Sequence, residues 1–218
     1  MNLEQLLSIP KSMYVCLRLF PLKQAIKLPM IVRYNTKLIS LKGRVYTSKS
    51  VKMAMFRYGF GDIGVLDKKY QRSMLEINGI LSIEEDTFIG QGARLSVGRQ
   101  GRLHFGNKFR NSGGMTIMAE ESVTFGDNVL VSWGTNIMDT DYHSVIDINT
   151  GLVKKHFSPI YIGNKVWLGC SILKGTTIAE GCVIGAFAVV AKSFETPNSL
   201  IVGSPAIEKA NNITRFID

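Results

Sequence analysis

The stretch Ile77-Asn-Gly-Ile-Leu-Ser-Ile83-Glu-Glu-Asp-Thr-Phe-Ile89-Gly-Gln-Gly-Ala-Arg-Leu95 sets an aliphatic residue at every sixth position, and Ile172, Ile178, Ile184 and Val190 return to the same step near the other end of the chain. Six is neither a helix period nor a hairpin spacing, so the pattern is an internal repeat. Gly often follows the aliphatic residue (Ile89-Gly90, Phe105-Gly106, Phe125-Gly126, Ile162-Gly163, Leu168-Gly169, Ile184-Gly185). Four residues after it stands a small or β-branched one, such as Thr87, Ala93, Val129, Val166, Thr176, Cys182 or Ala188. Each hexad reads as a short strand and a corner: the aliphatic side chain points inward, the Gly permits a tight turn, and the small residue lets flat faces stack. Three hexads then close a coil of about eighteen residues. The step slips from Leu95 to Phe105 and again from Leu168 to Ile172, where a loop or a shortened turn is expected. A solenoid has two open ends that need caps. The N-terminal extension and the tail Asn211–Asp218 are the candidates.

The rest of the chain bounds the function classes. With 218 residues, 45% hydrophobic and 20% charged, it lies in the globular range. The longest run free of Asp, Glu, Lys and Arg is the twelve residues Thr196–Ile207, short of the roughly 20 that a membrane span needs. Nor does the start read as a secretory leader, so a cytoplasmic place is expected. Cys16, Cys170 and Cys182 form no C-x-x-C pair and read as core thiols in a reducing compartment, not as a metal cage. The net charge of +9 sits in residues 1–57, where eleven Lys and Arg face Glu4 alone. Between Leu3 and Tyr34 the basic residues Lys11, Arg18, Lys23, Lys27 and Arg33 interleave with Leu6, Leu7, Ile9, Tyr14, Val15, Leu17, Leu19, Phe20 and Ile26. Such an arm either packs on the domain as a solvated extension or contacts an anionic surface, a membrane face or a polyanionic substrate. Pro10, Pro21 and Pro29 are expected to divide it into short helices. A nucleic-acid partner is not expected.

The repeat breaks after Ile137, and a polar insertion at 138–159 begins Met138-Asp139-Thr140-Asp141-Tyr142-His143. Loops inserted into rigid scaffolds are where sites are usually built. His143 has carboxylates two and four residues before it, a grouping that can raise its basicity and hold one tautomer. Lys154, Lys155 and His156 read as solvent-exposed loop.

Phe125-Gly-Asp-Asn-Val-Leu-Val, the Asp-x-His of Asp141 and His143, Ile162-Gly-Asn-Lys-Val-Trp-Leu-Gly169, Ile184-Gly-Ala-Phe-Ala-Val-Val-Ala-Lys192 and Gly203-Ser-Pro-Ala206 follow one another. In that order they resemble the hexapeptide-repeat, left-handed parallel β-helix acyltransferases, in the acetyltransferase branch that holds galactoside, maltose, xenobiotic and polysaccharide acetyltransferases. The resemblance implies an all-β solenoid, a left-handed parallel β-helix over 58–205, preceded by a basic, partly helical extension at 1–57 that holds short helices and the first irregular coils, and followed by a tail at 206–218. It implies acetyl-CoA as acyl donor, no metal, and a homotrimer with sites between subunits. It makes His143 the general base, with Asp141 or Asp139 to orient it. It places the donor against Trp167, Ala186, Ala191 and Lys192, with the backbone N–H of Cys170 facing the oxyanion. On the acceptor side it points to Ser112 or Asn111 and to Glu120, and Trp133 could stack on a sugar ring. Where the family often carries a basic residue after Gly-x-Pro this chain has Ile207, with Lys209 two further on. The expected function is acetyl transfer to a hydroxyl or amine of a sugar or surface-polysaccharide precursor, possible acceptors including lipid-linked ones at the membrane's inner face. The competing readings are a non-catalytic trimeric scaffold and a zinc enzyme built on His104, His143 and His156.

Overall fold

The computed structural model describes residues 3–47, 50–61, 63–67 and 69–215, so the last three residues of the expected C-terminal tail lie outside the described residues. From Met30 to Val190 the chain visits three sheets in rotation, interrupted once after Met138, the strand succession of a parallel β-helix. The first sheet holds nine strands from Met30–Val32 to Ile207–Ala210, the second seven from Lys37–Leu41 to Val189–Val190, and the third six from Arg44–Tyr46 to Thr177–Ile178. Within each sheet successive coils pair in parallel, and only the last strand of the first sheet runs antiparallel.

Like residues stack on like. Along the second sheet Leu75, Leu95, Ile117, Ile137, Ile172 and Val190 form one inward column, each buried. Every such side chain withdrawn from water contributes about 1.5–3 kcal/mol. The spacing corrects the expected eighteen-residue coil: Leu95 lies twenty residues after Leu75, Ile117 twenty-two after Leu95, and only Val190 lies eighteen after Ile172. The early coils are longer because their strands bury two alternating residues each, Leu75 with Ile77 and Leu81 with Ile83. Phe56, Phe105, Phe109 and Phe125 fill the interior, with the rings of Phe105 and Phe125 stacked at 5.4 Å.

The Gly after the inward residue also has a different reason from the one its turn suggests. Gly106 and Gly126 do not take the left-handed conformation; Lys108 (φ 54) and Asn128 (φ 58), two positions on, do. A Cβ on Gly106 would lie 2.5 Å from the carbonyl of Gly126, and one on Gly126 would lie 2.8 Å from the backbone nitrogen of Asn164. These positions are Gly because stacked coils touch there.

Both ends of the stack are covered. Helix α1 (Leu3–Leu7) leads into α2 (Ile9–Leu19), which packs against the first strands of all three sheets, with Val15, Cys16 and Leu19 buried. Pro10 does not end a helix as expected, because it falls in the first turn of α2, where its missing N–H costs nothing. Pro21 does separate α2 from α3 (Leu22–Ala25). At the other end Ile207–Ala210 folds back on Leu200–Val202. The insertion at 138–159 is a hairpin, Val145–Ile146 pairing antiparallel with Val153–Lys154. Among the described residues no helix is long and apolar enough to cross a membrane.

Candidate active site

The second slip of the repeat creates a concavity. In the first sheet Val131, Leu168 and Ile184 lie side by side, and in the second Asn136, Ser171 and Val189 do. The corners joining them run through Ser132 to Thr135 in one coil and Gly185 to Ala188 in the third, but only through Gly169 and Cys170 in the middle one. The middle corner is two residues short and recedes, leaving a groove of about 530 Å³ between its neighbours. Trp133, Trp167 and Phe187 wall it, Gly169 and Cys170 form its floor, and no ionisable side chain other than the Cys170 thiol lines it.

The indole of Trp167 is fixed by its Nε1–H, which donates to Ser132 Oγ at 2.9 Å. Phe187 is 85% exposed and holds φ 62, a conformation that costs a bulky residue about 1–2 kcal/mol. Strain of this kind gathers at functional sites. The carbonyls of Gly169 and Cys170 are used, accepting from Phe187 N–H (3.0 Å) and Asn136 N–H (3.1 Å). The Cys170 N–H finds no acceptor among the described residues. Its thiol is buried and pushed up to about 12 by that burial, against a hydrogen bond from the Gly169 backbone, so it is un-ionised at neutral pH.

Of the expected donor residues, Trp167, Cys170 and Ala186 thus meet in the groove, and Trp133, expected on the acceptor side, joins them. Ala191 and Lys192 are exposed outside it, and Lys192 Nζ lies 5.3 Å from the Phe194 ring. Phe187 and Ser132 were not singled out by sequence. A signal for Phe187 existed, because the matching left-handed corner positions are the polar Lys108, Asn128 and Lys165.

His143 is exposed at the base of the hairpin, and among the described residues neither ring nitrogen has a hydrogen-bond partner. The two carboxylates near it in sequence are engaged elsewhere. Asp141 pairs with Lys174 at 2.5 Å. Asp139 is fully buried, accepting from the backbone N–H groups of Glu120 (2.8 Å), Glu121 (2.8 Å) and Ser122 (2.7 Å). Burial raises its carboxyl above the ordinary carboxylate range, opposed by those three N–H groups. The hairpin base is tied further by Lys155 to Glu121 at 3.2 Å and by Lys174 to the Lys155 carbonyl at 2.8 Å.

Of the residues expected on the acceptor side, Glu120 stands near the hairpin base, its carboxyl raised by burial and by Asp139, with the Tyr142 hydroxyl 3.5 Å away. Asn111 is buried and donates to the Val131 carbonyl at 3.1 Å, bracing two coils. Ser112 follows it, one coil below the groove, and does not line it. His104 lies on the third sheet, and among the described residues no three His, Cys, Asp or Glu side chains gather as metal ligands would.

No family model matches the chain. Over 151 residues it is 31% identical to WbbJ of Escherichia coli, named for O-acetyl transfer in lipopolysaccharide biosynthesis, covering 64% of this chain and 76% of that one. Over 105 residues it is 33% identical to the galactoside O-acetyltransferase of Escherichia coli, covering 47% of this chain and 51% of that enzyme. The chain spans about half the length, or less, of the curated relatives it matches, WbbJ excepted. Among solved structures, the polySia-specific acetyltransferase NeuO shares the fold, with a TM-score of 0.56 at 19% identity over 87% of this chain and 76% of that one.

Proposed function

Because the chain belongs to the hexapeptide-repeat acetyltransferase family, we propose that it transfers an acetyl group from acetyl-CoA to a hydroxyl, or an amine, of a sugar in a surface-polysaccharide precursor. The left hand of the coil and a homotrimeric assembly belong to the same reading. The observation that carries it is the groove at the shortened corner: an uncharged, aromatic-walled channel whose floor offers a backbone N–H that has no acceptor among the described residues. Indole and phenyl faces suit the pantetheine arm, and Lys192 outside the groove suits the nucleotide phosphates.

The chemistry follows from these groups. His143 takes the proton of the acceptor hydroxyl as its oxygen attacks the thioester carbonyl, a step worth about 10²- to 10⁴-fold. The carbonyl oxygen becomes an oxyanion that the Cys170 N–H stabilises. Collapse breaks the C–S bond, and the imidazolium returns its proton to the leaving thiolate, giving the ester and free coenzyme A.

One chain does not hold these parts together. The groove precedes the strand Asn136–Met138 and His143 follows it, so base and donor channel lie at opposite ends of one strand. A second copy supplies the missing half. The hairpin is suited to reach it, since Val145, Ile146, Ile148, Leu152 and Val153 are all exposed, Ile148 by 93%.

Calorimetric titration of acetyl-CoA into wild type and Trp167→Ala tests the donor half without knowledge of the acceptor. Saturable binding, weakened about tenfold in the variant, is expected. Absence of binding to both acetyl-CoA and free coenzyme A would sink the proposal.

A further inference from the structure

The helical arm presents a face that the coil leaves uncovered. Ser8 keeps a right-handed helical conformation (φ −85, ψ −12), its N–H donating to the Glu4 carbonyl at 3.1 Å and its carbonyl accepting from Ser12 at 2.9 Å. Ser8 therefore joins the end of α1 to the first turn of α2. Ser8, Ser12, Val15, Cys16 and Leu19 are buried on one side of this run. Helical periodicity gathers Leu3, Leu6 and Leu7 on one face of α1, and on α2 it sets Pro10, Tyr14 and Leu17, at i, i+4 and i+7, opposite Ser12, Val15, Cys16 and Leu19. All six are exposed, the leucines and Tyr14 by 49% to 71%. Single apolar residues at a surface are ordinary, but a contiguous stripe marks an interaction surface. Leu22 and Ile26, at and just after α3, add two more exposed side chains.

The charge beside this stripe has one sign. Arg18, Lys23 and Lys27 are exposed, and among the described residues none makes an ion pair. The one acid in the first 57 residues is Glu4, which Arg33 holds at 2.8 Å. A second copy docking face to face would set these cations against their own equivalents with no carboxylate between them. A surface that is apolar inside and anionic outside fits both features.

We propose that this face docks the protein on an anionic lipid bilayer, with the leucines and Tyr14 entering the headgroup boundary and Arg18, Lys23 and Lys27 meeting lipid phosphates. The arm packs at the first coil, several coils from the groove, so docking leaves the groove open. The inference does not rest on the donor or acceptor chemistry.

Vesicle flotation of the full chain tests it, with phosphatidylcholine vesicles against vesicles containing about one third phosphatidylglycerol. Wild type is expected to float with the anionic vesicles alone and to release as salt rises. The triple variant Arg18→Gln, Lys23→Gln, Lys27→Gln is expected to partition about 10²-fold less, at about fivefold per charge. Tyr14→Ser with Leu17→Gln is expected to lose about tenfold or more, with thermal melting unchanged because both side chains are exposed. Wild type that fails to float, or floats equally with neutral vesicles, overturns the proposal whatever the variants do. So does a wild-type assembly that persists in high salt and that the Tyr14, Leu17 variant alone dissolves, since the face would then be a contact between copies. Flotation needs no turnover, so an enzyme inactive toward acetyl-CoA would leave its outcome standing.

Discussion

Replacing Asp139 by Asn and by Ala separates bracing from catalysis. Its Oδ1 accepts the N–H of Glu120, and its Oδ2 accepts those of Glu121 and Ser122. Asn retains one acceptor oxygen, which can keep the Glu121 and Ser122 bonds while its NH₂ faces the N–H of Glu120. One buried donor left without an acceptor costs about 1–3 kcal/mol. Ala leaves three such donors and a small void, so its cost is about 3 kcal/mol or more, against a total stability of about 5–15 kcal/mol. Urea unfolding at one fixed protein concentration measures both, as the shift in midpoint multiplied by the slope. The folded Asn variant is expected to keep kcat within about tenfold of wild type, whereas His143→Ala loses about 10²- to 10⁴-fold. If Asp139→Asn stays within about 0.5 kcal/mol of wild type yet loses as much kcat as His143→Ala, the bracing argument fails and Asp139 orients the imidazole.

Cys170→Ala should change kcat by no more than a few fold, because the proposed role falls on the backbone N–H, which Ala retains, and the buried thiol is un-ionised; inactivation by this substitution would point to a covalent role. Burial pushes the Asp86 carboxyl up, but hydrogen bonds and charge from Arg110 and Arg57 outweigh it and hold it below the ordinary range. A carboxyl depressed by folding stabilises above its unfolded value, and that contribution is lost as pH falls through the folded value. The urea midpoint of wild type should therefore drop below about pH 4 more steeply than that of Asp86→Asn, and parallel curves would refute the assignment. Two inactive variants, His143→Ala and Ala186→Arg, should regain about a quarter of wild-type activity when reassembled in equal amounts, because each shared site draws independently on two copies. A mixed assembly that stays inactive would refute sites built across a boundary.

The inward columns were legible in sequence because most inward positions carry apolar side chains, so Ile77, Ile83 and Ile89 announce themselves. Coil length was not, since a strand that buries Leu75 and Ile77 two apart offers a second aliphatic that a step of six passes over. His143 was legible as a polar residue in a break of the repeat, but the partners of the carboxylates near it were not. Asp139 is adjacent to His143 along the chain, while the donors that fix it are the N–H groups of Glu120, Glu121 and Ser122 in the preceding coil. Contacts between stacked coils join residues about twenty positions apart, a separation at which sequence proximity carries no information. The Gly after Phe105 and Phe125 shows the same effect, its cause lying on the neighbouring coil.

The slip at Leu168 to Ile172 shows why a site arises where it does. Two residues can be missing from a coil only if both flanking sheets keep register, and they do: Leu168 still sits between Val131 and Ile184, and Ile172 between Ile137 and Val190. Both side chains remain fully buried, so the core loses nothing and the whole deficit appears at the corner. A corner that short has no room for the turn its neighbours make, and among the described residues its Cys170 N–H has no acceptor, while the full-length corners on either side stand proud and carry Trp133 and Phe187 as walls. The repeat supplies rigidity on both sides of the defect. The same omission therefore provides the channel and its aromatic walls, and brings the backbone of Gly169 and Cys170 to the channel floor.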